Sequence, residues 1–313
     1  MLKRAYAAAA AYALIIGLSF LFVKQTLEAA PPFTILAHRF LIAFLVVLLL
    51  VICTKQKVFY MKKQHIPFFL GISLVYPVLF FSFQIFGLVF ISSSEAGIYL
   101  SASPAFAMLL ALLLLKERAS VRQITGVVLS IGGVLAMMIS SIQGALSGNL
   151  AGSLLMILCA LSMAVYQVLA RKLSAEYSPL QITFWMTACG FVVFHVIAFT
   201  KLGLAGDFRT YVAPFTSMSF LWSILYLSIL SSLASSFLAN YTLSRLATVK
   251  MSIFNNLATL ITVLAGVLYL KEALYWYHIV GAALIVSGIL LVNMKRKEVQ
   301  HEQQEASEKA QVR

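Results

Sequence analysis

Residues 109–135 read LLALLLLKERASVRQITGVVLSIGGVL, and residues 264–290 read LAGVLYLKEALYWYHIVGAALIVSGIL. A shift of 155 residues lays one on the other. Lys116-Glu117 then falls on Lys271-Glu272, Gly126 on Gly281 and Gly133 on Gly288, while Leu109, Leu113, Leu115, Leu129 and Leu135 each meet a leucine. Leucine pairs come easily by chance in apolar sequence; a charged pair and two glycines in one register do not. The chain is read as two copies of one unit, residues 1–143 and 144–294, followed by a polar tail at 295–313 that is expected to be disordered.

What surrounds the repeat sets its solvent. Of 313 residues, 62% are hydrophobic and 11% charged, and the mean hydropathy is +0.96. Soluble domains are about half apolar and about a quarter charged, and disordered chains are less apolar still. Apolar runs recur near 5–23, 33–54, 66–90, 95–115, 123–141, 150–170, 179–199, 216–239, 250–270 and 276–294. Each suits one helix of ~20 residues across a bilayer core. The expectation is an all-α integral membrane protein of ten transmembrane helices. The first run exceeds the roughly 7–15 residues of a signal-peptide core, so it reads as a retained span. A barrel, whose strands alternate polar and apolar, is excluded.

Ten spans put both termini on one side. With that side inside, sixteen Lys and Arg fall in inner segments and four (Lys24, Lys201, Arg209, Lys271) in outer ones. Cytoplasmic loops carry this excess, so both termini are expected in the cytoplasm of a bacterial cell. The net charge of +13 is thus a matter of topology, and no nucleic-acid partner is implied. Each copy holds five helices. An odd number forces the second copy into the membrane upside down, as in secondary transporters whose solute site lies near the midplane between halves.

The stretch Ser94-Glu95-Ala96, Pro104, Leu115-Lys116-Glu117-Arg118, Gly126 and Gly132-Gly133 resembles the EamA signature of the drug/metabolite transporter superfamily. So do Lys271-Glu272, Gly281 and Gly288, with Gly17-Leu18-Ser19-Phe20 and Arg39-Phe40 fitting earlier. The resemblance covers residues 5–294. It implies ten helices in two inverted five-helix halves and export of small metabolites such as amino acids. The second copy departs from the pattern at Thr259, in place of proline, and at Lys250, opposite Glu95.

Charge inside a span is costly and often functional. Arg39 lies seven residues after Pro32, about 10 Å into its helix. Its guanidinium either binds a solute carboxylate or pairs with helix-end carbonyls or Glu95. A pocket for a small amphipathic solute is mostly apolar with a few polar groups. Tyr76, Gln84, Tyr99, Tyr166, Trp185, Asn255 and Asn256 join Arg39 as candidate solute-binding residues, and Glu95 and Lys250 as candidates for coupling or gating. Ser228, Ser231, Ser232 and Ser235 share a face that serves either close helix packing or a cavity. The repeated glycines read as helix-packing positions and the Lys-Glu pairs as turn elements. His38 and His195 read as packed, neutral rings. No nucleotide-binding loop, catalytic motif or clustered metal ligand is present, and Cys53, Cys159 and Cys189 are scattered through apolar runs. The reading is a transporter rather than an enzyme, an exporter with no cofactor, whose partners are a small solute and membrane lipid. A homodimer is left open. The alternatives are a lipid-linked solute flippase and a non-coupled channel or scaffold.

Overall fold

The computed structural model describes residues 2–55, 58, 62–114, 120–143, 147–174, 176–206, 208–243 and 248–293. The Lys116-Glu117 pair, the tail and the side chain of Lys250 lie outside the described residues. Among those described, every regular element is helical. In chain order these are α1 (Leu2–Leu27), α2 (Pro32–Thr54), α3 (Ile66–Ser73), α4 (Phe80–Phe90), α5 (Ser93–Ser101), α6 (Ser103–Leu114), α7 (Val121–Gln143) and α8 (Ser147–Ser174). They continue with α9 (Pro179–Ala205), α10 (Arg209–Val212), α11 (Met218–Leu225), α12 (Ser235–Leu243), α13 (Thr248–Tyr269) and α14 (Trp276–Asn293). Seven helical stretches are long and apolar enough to cross a membrane, and Phe254–Tyr269 and Trp276–Val292 are shorter apolar helices. Leu49, Val128, Phe237 and Leu268 are all largely exposed. On a soluble surface such a belt is a liability; here it faces lipid, and the protein is a multi-pass membrane protein.

Local chemistry sets the helix ends. Proline opens both α2 and α9, where its missing N–H costs nothing. Ser92, Ser178 and Ser217 cap α5, α9 and α11 by accepting from the backbone N–H groups of Glu95, Gln181 and Phe220. The run expected as one span near 95–115 is divided: a turn at Ala102 separates α5 from α6.

Two long stretches lose α-geometry midway. An eight-residue α3 passes into a π-helical segment, Leu74–Leu79, before α4 resumes. An eight-residue α11 passes into a second, Tyr226–Ala234, before α12. Inside the first, Tyr76 leaves helical geometry altogether (φ −142°, ψ 115°). Within hydrocarbon such irregular backbone survives only where protein covers it or a cavity hydrates it.

The bundle is closed by four main pairings: α7 on α14, α1 on α13, α2 on α9, and α8 on α4, α5 and α6. The α7–α14 crossing is made by the repeated glycines. A methyl group at Gly126 would strike the Gly288 carbonyl and Val292, and one at Gly133 would strike the Gly281 carbonyl and Leu284. Ser130 donates across the same seam to the Ile285 carbonyl at 3.1 Å. Small residues here let two backbones touch, which is how membrane helices gain packing energy without a hydrophobic drive.

Gly126→Leu is therefore expected to destabilise the protein by about 1–3 kcal/mol through overpacking. Gly132→Leu, whose site meets nothing within 4 Å, should be close to neutral. Thermal unfolding in detergent distinguishes the two; equal melting temperatures would contradict the seam.

Candidate functional site

Arg39 is 3% exposed, near the centre of the bundle. Its Nε donates to the Ser232 hydroxyl at 3.1 Å and its Nη2 to the Ser231 hydroxyl at 3.2 Å. The guanidinium carbon lies 4.2 Å from the centroid of the Phe81 ring. Both serines belong to the π-helical segment Tyr226–Ala234. Phe81 stands just beyond the other one, and the phenol of Tyr76, inside it, is within electrostatic reach of the charge. Arg39 thus sits between the second irregular segment and the start of α4, just past the first.

The magnitudes decide what the site lacks. Placing an arginine mid-span costs at least about 2.5–3.5 kcal/mol on insertion scales. Two hydrogen bonds to a charged group return roughly 1.5–3 kcal/mol each, and a ring face about 1–2. The charge is tolerable, but it is not neutralised. Among the described residues no carboxylate pairs with Arg39, Glu95 included. A guanidinium has five N–H donors in a planar fork suited to a carboxylate, and the two serines occupy only two of them.

The aromatic candidates gather beside this charge. Tyr76 stacks on Tyr166 with centroids 4.4 Å apart and planes 21° from parallel. Trp185 packs into the cluster that both tyrosines join, and its indole N–H donates to the Val58 carbonyl at 3.0 Å. Gln84 is buried on α4. Asn255 and Asn256 are half-buried on α13. Further along that face Thr262 donates to the Gly17 carbonyl of α1 at 2.8 Å, a packing contact. His38 is enclosed by the rings of Tyr211, Phe215 and Phe220.

Tyr99 belongs to a second group, with Glu95. Its hydroxyl donates to Ser153 at 3.1 Å, and Ser153 donates to Glu95 Oε1 at 3.4 Å. Glu95 Oε2 lies 3.8 Å from Nε2 of His278 on α14, and both residues are buried. Nothing in the pattern around Tyr275-Trp276-Tyr277-His278 separates this histidine from an aromatic interface belt, and sequence reasoning missed it.

Next to this group lies a latch. The Glu272 carboxylate accepts from the backbone N–H and hydroxyl of Ser93 (2.7 and 2.8 Å) and of Ser94 (2.9 and 2.7 Å). It fills the open N-terminus of α5, where a negative charge is favoured. A methyl group at Gly266 would collide with the carboxylate and both serine hydroxyls, so glycine there makes room for the latch. At another edge, exposed Glu176 takes a 2.7 Å hydrogen bond from Lys62, which holds its carboxyl below the ordinary range; such a surface pair contributes little.

The sequence profile of the EamA-like transporter family matches residues 3–139 and again 150–294. The chain belongs to the EamA-like transporter family. An uncharacterised transporter of Bacillus subtilis (strain 168), YcxC, is 46% identical over 295 residues, covering 94% of both chains. A protein of Escherichia coli (strain K12) named "Probable amino-acid metabolite efflux pump" is 24% identical, over 88% of this chain and 90% of its own. A solved crystal structure is similar in fold, with a TM-score of 0.62 at 17% identity, covering 92% of this EamA transporter and 96% of that chain.

Glu272→Ala is expected to cost this EamA transporter about 1–3 kcal/mol, since it strips the acceptor from α5's first N–H groups. The pair Ser93→Ala and Ser94→Ala should cost less, because the two backbone donors still reach the carboxylate. Melting curves in detergent test the order; a double serine variant as unstable as Glu272→Ala would contradict it.

Proposed function

We propose that this EamA transporter is a secondary transporter that exports small organic metabolites bearing a carboxylate, in a bacterial cytoplasmic membrane. It works by alternating access of two inverted five-helix halves, 1–143 and 144–294, with ten spans and both termini cytoplasmic. The observation that carries the solute class is Arg39: a buried cation without an anionic partner among the described residues, held by serines of the second irregular segment and by Phe81 just past the first. Half-broken helices at the midplane are where transporters of this kind build solute sites.

Several features support the inverted halves. The family profile matches twice, once in each half. Each half has an eight-residue helix leading into a π-helical segment. The packing is also symmetric under exchange of the halves. Swapping α1 with α8, α2 with α9, α3 and α4 with α11 and α12, α5 and α6 with α13, and α7 with α14 leaves the α7–α14 and α2–α9 pairings as they are, exchanges α1–α13 with the packing of α8 on α5 and α6, and carries α8–α4 onto a pairing of α1 with α12 that is also present. The latch fits this scheme as a closed gate, since Glu272 of one half holds α5 of the other. A named efflux pump among the relatives is in keeping with export.

The test compares exported metabolites from cells with and without the protein, then with Arg39→Ala and Arg39→Lys. Arg39→Ala is expected to lower export by at least about tenfold while melting normally, and Arg39→Lys to fall between, having lost the fork but kept the charge. Export unchanged in Arg39→Ala would remove Arg39 from the site. If no small solute changes its distribution across the membrane, the exporter reading fails.

A further inference from the structure

We infer that Glu95 and His278 form a proton-binding pair that couples proton entry to solute movement. The inference rests on the transport reading for the purpose of the proton, and on geometry for the site itself.

The pair bridges α5 and α14, which the proposal assigns to opposite halves, and both side chains are at most 5% exposed. His278 Nδ1 accepts the backbone N–H of Tyr275 at 3.3 Å. In the neutral ring the proton therefore sits on Nε2. That nitrogen is buried with no hydrogen-bond partner, and Glu95 Oε2 lies 3.8 Å away. An N–H and a carboxylate oxygen so placed are one small side-chain movement from a hydrogen bond. The far carboxylate oxygen is fed by the Tyr99–Ser153 chain of hydroxyls, which can donate to it in its charged form.

The surrounding polar groups complete the picture. From the turn before α14, Glu272 reaches the two residues of α5 that precede Glu95, Ser93 and Ser94. Lys24 of α1 lies in the field of Glu272. The rings of Tyr275 and Tyr277 flank the imidazole at 5.7 and 4.4 Å. Tyr275, whose backbone N–H holds Nδ1, is itself 52% exposed, in the turn at the end of the bundle that leads into α14.

The step balances without redox. A proton from that end adds to Nδ1 as the Tyr275 contact opens. The Nε2 proton passes to Glu95 Oε2, leaving a neutral imidazole and a neutral carboxyl. Once the halves have rocked, Glu95 returns its proton to Nε2 and Nδ1 releases one toward the opposite face, which restores the carboxylate and the starting tautomer. One proton crosses per cycle. The latch ties the same turn to the same helix, so protonation and gate opening act on one joint.

Infrared spectroscopy of the purified protein in liposomes tests the site without any solute. Between about pH 5 and pH 9, a range that spans carboxyl and imidazole titration in proteins, the wild type should show a carboxyl C=O stretch that comes and goes. Glu95→Gln should lose it, Glu95→Asp should keep it, and His278→Asn should move its midpoint. A spectrum that Glu95→Gln leaves unchanged, or no titrating band in the wild type, overturns the proposal. For coupling, proteoliposomes are given a pH gradient and a radiolabelled amino-acid mixture as probe. Glu95→Gln should cut gradient-driven accumulation about tenfold while solute exchange without a gradient persists. Undiminished gradient-driven accumulation, or loss of exchange as well, overturns the coupling role. A wild type that moves no probe counts against the transport reading, and the infrared result then decides the proton site alone.

Discussion

A single positive charge in a low-dielectric interior organises the middle of this protein. Water cannot solvate Arg39, so protein must. It is held by two hydroxyls and a ring face rather than by a carboxylate. A permanent buried ion pair would satisfy the guanidinium and leave nothing for a solute. Neutral donors and acceptors make the charge bearable while leaving it electrostatically open. The two irregular segments serve the same end: Ser231 and Ser232 of the second hold the guanidinium from one side, and Phe81, two residues beyond the first, covers it from another.

The rest of the bundle is what lets that centre exist. Packing with almost no side-chain volume, the α7–α14 glycine seam joins the two halves away from the charge. The Glu272 latch joins them at one end through charge-assisted hydrogen bonds, which are short and directional. In the proposed mechanism the seam stays and the latch lets go as the two halves rock. Beside the latch, Glu95 and His278 lie 3.8 Å apart as the proposed proton-binding pair.

Legibility from sequence followed the length scale of each signal. Apolar runs and the 155-residue register mark helices and duplication because hydrocarbon imposes a crude, chain-wide pattern. Arg39 stood out for the same reason: a charge in an apolar run is conspicuous. Its partners did not, since Ser231 and Ser232 lie almost two hundred residues away and look like ordinary small packing residues. The two irregular segments were invisible, because a local change of helix geometry leaves no mark in hydropathy. The division at Ala102 was hidden for the same reason. The serine face of the second segment reads from sequence as either packing or cavity; in the structure Ser228 and Ser235 bond their own helix while Ser231 and Ser232 meet the Arg39 charge. Glu272 was read as a turn element; its reach to Ser93 and Ser94 depends on tertiary placement that periodicity does not encode.

The central claim is that the two halves enter the membrane in opposite senses around Arg39. Site-directed accessibility labelling tests it most directly. With Cys53, Cys159 and Cys189 replaced, single cysteines are placed by Ser120→Cys and Ala273→Cys, in the equivalent turns of the two halves, and reacted with a membrane-impermeant thiol reagent in intact cells and in inside-out vesicles. The account predicts that position 120 reacts only from the cytoplasmic side and position 273 only from outside. Reaction of both from the same face would contradict the inverted architecture and the alternating access built on it.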